Sequence, residues 1–143
     1  MDKLRNPIEI TTAKVLTGTL ALANATATKL GGMTEAFVWV DYTRNGGSVT
    51  GRPVLAVEIS RDPPDTLPAA VTHFSRVALG DGSGITMGEV EMYYEALGFP
   101  TTSGGTYHWP SICVAGAHWM RVYIADKDAA APGVASVYLT GGA

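Results

Sequence analysis

Three histidines and one cysteine, His73, His108, His118 and Cys113, are the residues best suited to metal or nucleophilic chemistry. None lies at a spacing, such as Cys-x-x-Cys or His-Glu-x-x-His, that would place two ligands on one ion, so no metal site is expected. A Ser–His–Asp set assembles in space and needs no fixed spacing, but no Gly-x-Ser-x-Gly elbow occurs. Gly80-Asp81-Gly82-Ser83-Gly84 has the glycines of a phosphate or calcium loop. It lacks the Gly-Lys-Ser/Thr ending of the first and the alternating acids and terminal Glu of the second, and reads as a turn. Glu89, Glu91, Tyr93 and Glu95 alternate along one window and offer the paired carboxylates that glycoside hydrolysis needs, yet neighbouring acids on one strand face read first as a solvated surface. No Lys or Arg occurs between Arg76 and Arg121, and the resulting negative patch suits a basic partner surface. No motif identifies a reaction, so a non-enzymatic protein without a cofactor is expected.

Aromatic residues are the larger surplus. Trp39, Trp109, Trp119, Tyr93, Tyr107, Tyr123 and Tyr138 are many for one small core, and several fall opposite an aliphatic stripe. Where solvent reaches them, such side chains mark contact surfaces for protein or for sugar. Loops covering both faces of a sheet would account for them equally well.

The elements that must position these residues are strands. In His118–Ala125, Met120, Val122 and Ile124 fall on one side of an extended chain and Trp119, Arg121 and Tyr123 on the other. A turn over Asp126–Gly133 and a second alternating run, Val134–Leu139, predict a terminal antiparallel hairpin. Upstream, residues 1–7 form a short charged arm ending at Pro7, and Ile8–Leu22, broken at Gly18, gives two short strands or one bent one. Residues 23–33 read as a loop. Glu35–Tyr42 is apolar on both faces near its centre, Asn45-Gly46-Gly47 supplies a turn, and Arg52–Arg61 places Leu55, Val57 and Ile59 on one face with Ala56, Glu58 and Ser60 on the other. The loop Asp62–Pro68 carries three prolines, which cannot donate to a sheet ladder, so it is external and stiff. Further strands are expected over Val71–Leu79, over Thr86–Ala96, where period two fits better than a helix, and over Tyr107–Val114 with a kink at Pro110. The sum is an all-β antiparallel sandwich, jelly-roll-like, with eight or nine strands and little or no helix.

A chain of 143 residues suits one domain, which at this size buries roughly 68–70% of the surface its unfolded chain exposes. With 17 Gly, 8 Pro and only 16% charged residues, it has the composition of a turn-rich β protein. Net charge is −3 and the ten basic residues are scattered, which argues against nucleic acid as a partner. Cys113, between Ile112 and Val114, is expected to be a buried small hydrophobe. No apolar run approaches the roughly 18–20 residues that span a bilayer, and no apolar segment follows Met1–Arg5, so a soluble protein made in a cytoplasm is expected and the Asn24-Ala25-Thr26 sequon carries no weight.

The N-terminal arm, the Thr/Ala/Gly-rich strands and the ending Trp119-Met120-Arg121-Val122, Pro132-Gly133-Val134 and Val137-Tyr138-Leu139-Thr140-Gly141-Gly142 resemble small β-sandwich structural proteins of tailed bacteriophages. The likeness is greatest to capsid decoration proteins, with tail-associated proteins next, and its recognisable pattern covers about the last 25 residues. The resemblance implies a homotrimer or other symmetric cluster on the outside of a capsid, with a major capsid protein or another virion protein as partner. Contacts are expected from an arm within residues 1–17 (Leu4, Arg5, Pro7, Ile8), from the loop 62–70 (Pro63, Pro64, Leu67) and from Trp109, Trp119 and Tyr123. A carbohydrate-binding module stacking sugar on Trp109 or Trp119 is the other expectation.

Overall fold

The computed structural model describes residues 7–46, 51–80, 85–87, 90–91, 93–94, 104–108, 111–127 and 129–142. In chain order its strands are β1 (Ile8–Val15), β2 (Ala21–Leu22), β3 (Thr28–Lys29), β4 (Glu35–Thr43), β5 (Arg52–Ser60), β6 (Phe74–Arg76) and β7 (Ala78–Gly80). There follow β8 (Ile85–Met87), β9 (Val90–Glu91), β10 (Tyr93–Tyr94), β11 (Gly104–His108), β12 (Ile112–Cys113), β13 (Trp119–Lys127) and β14 (Val134–Gly142). Among the described residues a single 3-10 turn, Pro68–Ala70, interrupts them.

Two antiparallel sheets pack face to face. One runs β1-β14-β4-β11-β10, with β12 also on β4; the other runs β2-β13-β5-β6, with β3 on β13 and β9 on β5. The chain therefore crosses between the sheets repeatedly, from β1 to β2 and β3, back to β4 and over to β5, and the last strand, β14, returns to lie beside the first. This order is that of a jelly roll. The core between the sheets is built by alternation: Val38, Val40, Leu55, Val57, Met120, Val122, Ile124, Val137 and Leu139 all point inward and are buried.

The prediction of a sandwich holds, and three of its details are corrected. First, β13 and β14 are not a hairpin, since β13 pairs with β5 and β14 with β1 and β4. Both strands present one apolar face to the same core, but from opposite sheets, and the segment between them is an arch. Second, the strand segments outnumber the eight or nine expected, because runs that alternate continuously change partners. The window Thr86–Ala96 holds β8, β9 and β10, which pair with β7, β5 and β11 in turn, and Tyr107–Val114 splits into β11 and β12. Between the pairs His108↔Trp39 and Ile112↔Ala36 the chain has one residue more than β4; Pro110, where a kink is expected, lies outside the described residues. Third, Cys113 is exposed, because its neighbours Ile112 and Val114 take the two inward positions.

The turn residues Asp81–Gly84 and Gly47, and the residues Glu89 and Glu95 of the acidic window, lie outside the described residues. The pairing Gly80↔Ile85 brackets the first of these segments.

Candidate functional site

Registers fix what stands on the outer face of the second sheet. Trp119 pairs with Ser60 and Ser60 with Phe74; Arg121 pairs with Glu58 and Glu58 with Arg76; Tyr123 pairs with Ala56. Across these rows Arg121 Nε donates to Glu58 Oε1 at 2.7 Å, while its guanidinium lies over the Phe74 ring at 3.8 Å from the centroid. Arg76 stands 3.7 Å from Glu58 Oε2 and over the Tyr123 ring at 5.3 Å. Burial, with the Glu58 charge next, pushes the Tyr123 hydroxyl above its ordinary pKa, so that it stays neutral. The result is a lattice of arginine and aromatic rings around one carboxylate, a composition enriched in protein interfaces.

Beside this lattice the chain leaves β5 into the proline-rich loop and returns into β6. The loop is tied down at several points. Asp62 Oδ2 accepts from the backbone N–H of Thr72 at 2.9 Å and of His73 at 3.3 Å, and Asp62 Oδ1 lies 2.8 Å from His73 Nδ1. The Thr72 amide above all, with the His73 amide and ring, holds the Asp62 carboxyl below its ordinary pKa. Trp119 Nε1 donates to the Pro63 carbonyl at 3.1 Å, and His118 Nδ1 lies 3.0 Å from the Asp62 carbonyl. Internal bonds from Thr66 N to Pro63 O and from Ala70 N to Leu67 O complete the turn. At its tip Leu67 is 74% exposed, the most exposed large apolar side chain among the described residues.

The expected contact residues are thus partly gathered. Pro63 and Pro64 are exposed on the loop with Leu67, and Tyr123 lies half-buried under the two arginines on the same face. Trp119 is only 2% exposed, its indole Nε1 donating to the loop, and offers no open ring. Pro7 is exposed and Ile8 partly buried at the start of β1, which is spent as an edge strand of the first sheet beside β14. Leu4, Arg5 and Trp109 lie outside the described residues. On the outer face of the first sheet, Trp39 and Tyr138 stack on each other across β4 and β14 at 4.3 Å, and Trp39 Nε1 donates to Thr140 Oγ1. Two rings stacked across neighbouring strands stand on edge, with one face of each already used.

A second polar cluster closes the opposite end of the sandwich. Asp126, fully buried, accepts from Tyr42 Oη and from the Gly133 backbone N–H, both at 2.7 Å, through Oδ2. Its own backbone N–H donates to Thr17 O, Leu16 N donates to Gly133 O, and Arg44 donates to Gly51 O. A Cβ added to Gly51 would come within 2.7 Å of Asp126 Oδ1, so Gly51 packs directly on the carboxylate. Asp126 thereby ties Gly51, Gly133 and Tyr42 through its side chain and Thr17 through its backbone N–H. Burial first, and then the bond to Asp126, raise the Tyr42 hydroxyl far above its ordinary pKa.

Among the described residues no group of three His, Cys, Asp or Glu side chains is placed to hold a metal ion. No helix among them is long and apolar enough to cross a membrane. Ser75 lies near the Asp62–His73 pair but makes no hydrogen bond with His73, so a nucleophile–base–acid relay is not assembled there. Sequence reasoning found the loop through its prolines and Tyr123 through alternation. It missed Glu58, Phe74, Arg76 and Asp126, whose meaning depends on strand register. No family model, curated protein or solved structure matches the chain.

Proposed function

We propose that this chain is a non-enzymatic structural protein of a tailed-phage particle, stabilising the capsid by binding its outer surface as a symmetric oligomer, with the loop 62–70 and the adjoining arginine–aromatic face as its docking surface. The observation that supports docking best is Leu67, held out at 74% exposure on a loop tied down by Asp62, Trp119 and its own turn. An apolar tip on a stiff loop loses little conformational entropy on binding, and full burial of one leucine contributes about 1.5–3 kcal/mol. Many copies on a symmetric lattice multiply so small a contact, and a protein that binds the mature shell more tightly than its precursor stabilises the mature shell. The phage assignment itself rests on the sequence resemblance, since jelly rolls serve capsids and lectins alike. A tail-associated role would use the same surface. A sugar-stacking role needs open ring faces: Trp119 offers none, Trp39 and Tyr138 each spend one face on the other, and Trp109 lies outside the described residues.

The test is light scattering coupled to size exclusion across a dilution series, for the parent and for Leu67→Asp, followed by binding of both to undecorated capsids. A persistent trimer or capsid binding that Leu67→Asp weakens, with an unchanged melting curve, is the expected outcome. Equal assembly and equal capsid occupancy by the two proteins would refute the loop as the docking element.

A further inference from the structure

The proline loop opens with an aspartyl-prolyl peptide bond, Asp62–Pro63, and the fold holds the carbonyls on both sides of it. His118, the residue before β13, has Nδ1 3.0 Å from the Asp62 carbonyl oxygen and 3.3 Å from that of Arg61. A carbonyl only accepts, so Nδ1 carries the proton and donates to it. Beyond the bond, the Pro63 carbonyl accepts from Trp119 Nε1 at 3.1 Å. The Asp62 side chain, 14% exposed, is pinned by the Thr72 and His73 amides on Oδ2 and by His73 Nδ1 on Oδ1. With one donor against two, Oδ1 is the oxygen that keeps a lone pair free. These bonds, the Thr72 amide first, keep the carboxylate ionised further into acid than an ordinary aspartate. The charged and titratable groups around it among the described residues are Arg61 and His73, which line the cleft beside it, and His118; all are basic.

We propose that Asp62–Pro63 is a self-cleavage site, at which the chain cuts its own backbone in mild acid. The Asp62 side-chain oxygen bonds to its own carbonyl carbon and closes a cyclic anhydride. The C–N bond to Pro63 breaks, and the proline nitrogen leaves as a secondary amine with a proton taken from solvent. Water then opens the anhydride, so the net change is hydrolysis of one peptide bond, with nothing oxidised or reduced. As the new bond forms, negative charge builds on the Asp62 carbonyl oxygen, where the His118 N–H already points. The strands on either side of the cut, β5 and β6, pair with each other, so the nicked chain keeps its fold while the loop gains a free end at Pro63. Each chain is cut once, without turnover, and the inference stands apart from the docking reading.

The experiment holds the full chain at the lowest pH at which circular dichroism shows it folded, and follows its intact mass beside that of the same chain unfolded in urea at that pH. Fragments 1–62 and 63–143 are expected, the second beginning at Pro63 by N-terminal sequencing. The rate should be first order, independent of protein concentration, and roughly tenfold or more above that of the unfolded chain, the worth of one hydrogen bond to the developing oxyanion. His118→Ala should bring the folded rate down to the unfolded one, while His118→Asn, whose amide N–H can stand in for Nδ1–H, should retain more of it. Asp62→Glu keeps a carboxylate for the Thr72 and His73 amides but would have to close a larger ring, and should leave the chain whole. A folded parent chain that stays whole, or is cut no faster than the unfolded one, would overturn the proposal, as would cleavage that persists in Asp62→Glu.

Discussion

Replacing Asp126 by alanine strands two buried donors. Tyr42 Oη and the Gly133 N–H both give their hydrogen bonds to Asp126 Oδ2 at 2.7 Å, and Tyr42 itself is only 3% exposed. An unsatisfied buried donor costs about 1–3 kcal/mol, so two give about 2–6 kcal/mol. Removing the carboxylate returns part of its own desolvation, since Oδ1 is buried without a hydrogen bond. We expect a net loss of about 3 kcal/mol, a large share of the 5–15 kcal/mol typical of a domain. Asp126→Asn keeps an acceptor oxygen and should lose about 1 kcal/mol, and Tyr42→Phe, which removes one donor, should lose about 1–2 kcal/mol. The assay is urea denaturation of the three variants and of the Asp126→Ala/Tyr42→Phe pair. Because Tyr42 and Asp126 share a bond, the double variant should lose less than the sum of the singles. Hydrogen exchange at Leu16 and Gly133 should quicken in Asp126→Ala, since Gly133 N donates to that carboxylate and Leu16 N donates to Gly133 O. A loss under 1 kcal/mol for Asp126→Ala, or strict additivity with Tyr42→Phe, would refute the claim that the carboxylate ties Tyr42 to Gly133.

Three further outcomes follow from the same geometry. Ala13 has φ 48° at an irregularity of the β1 ladder and is exposed, so Ala13→Gly should stabilise the protein by up to about 1 kcal/mol, read as a raised melting temperature. Because Asp62 is held below its ordinary 3.8, its contribution to the loop is fully present above that pH and is lost as pH falls through the depressed folded value. Carbon-13 NMR of the Asp62 carboxyl should therefore show a midpoint under 3.8, and Asp62→Asn should free the Thr72 and His73 amides to exchange. Cys113 should react with a maleimide in the native state as fast as an exposed thiol; reaction only in denaturant would contradict its outward position.

Alternation carried most of what the sequence told of the fold, and its failures have one cause. A period of two says which face of a strand is apolar, not which sheet the strand joins. Met120, Val122 and Ile124 were therefore legible as core, as were Val137 and Leu139, while their membership of opposite sheets was not. The same rule, applied strictly, places Cys113 outside once Ile112 and Val114 are inside; the apolar look of the tripeptide hid it. Prolines announced the loop 62–68 because their effect is local. The pair Asp62–His73, eleven residues apart, and the triple junction at Asp126 were silent, since nothing in composition or spacing reveals that separate arches converge.

The two polar clusters sit at opposite ends of the sandwich, and this separates stability from the proposed docking surface. Trp119, which anchors the loop, opens β13, and Asp126, which joins the arches, stands seven residues on, roughly 24 Å away at a strand's rise per residue. At the Asp126 end the carboxylate, the Tyr42 hydroxyl and the Gly133 amide are turned inward and already bonded to one another, leaving little for a partner to engage. At the Trp119 end the polar groups hold the loop and leave Leu67 free. Sites that far apart with no shared partner act independently. Asp126→Ala should accordingly lower the melting temperature without changing assembly measured well below it, and Leu67→Asp should do the reverse. If Asp126→Ala abolished assembly in the fully folded protein, the arches and not the proline loop would be the docking end.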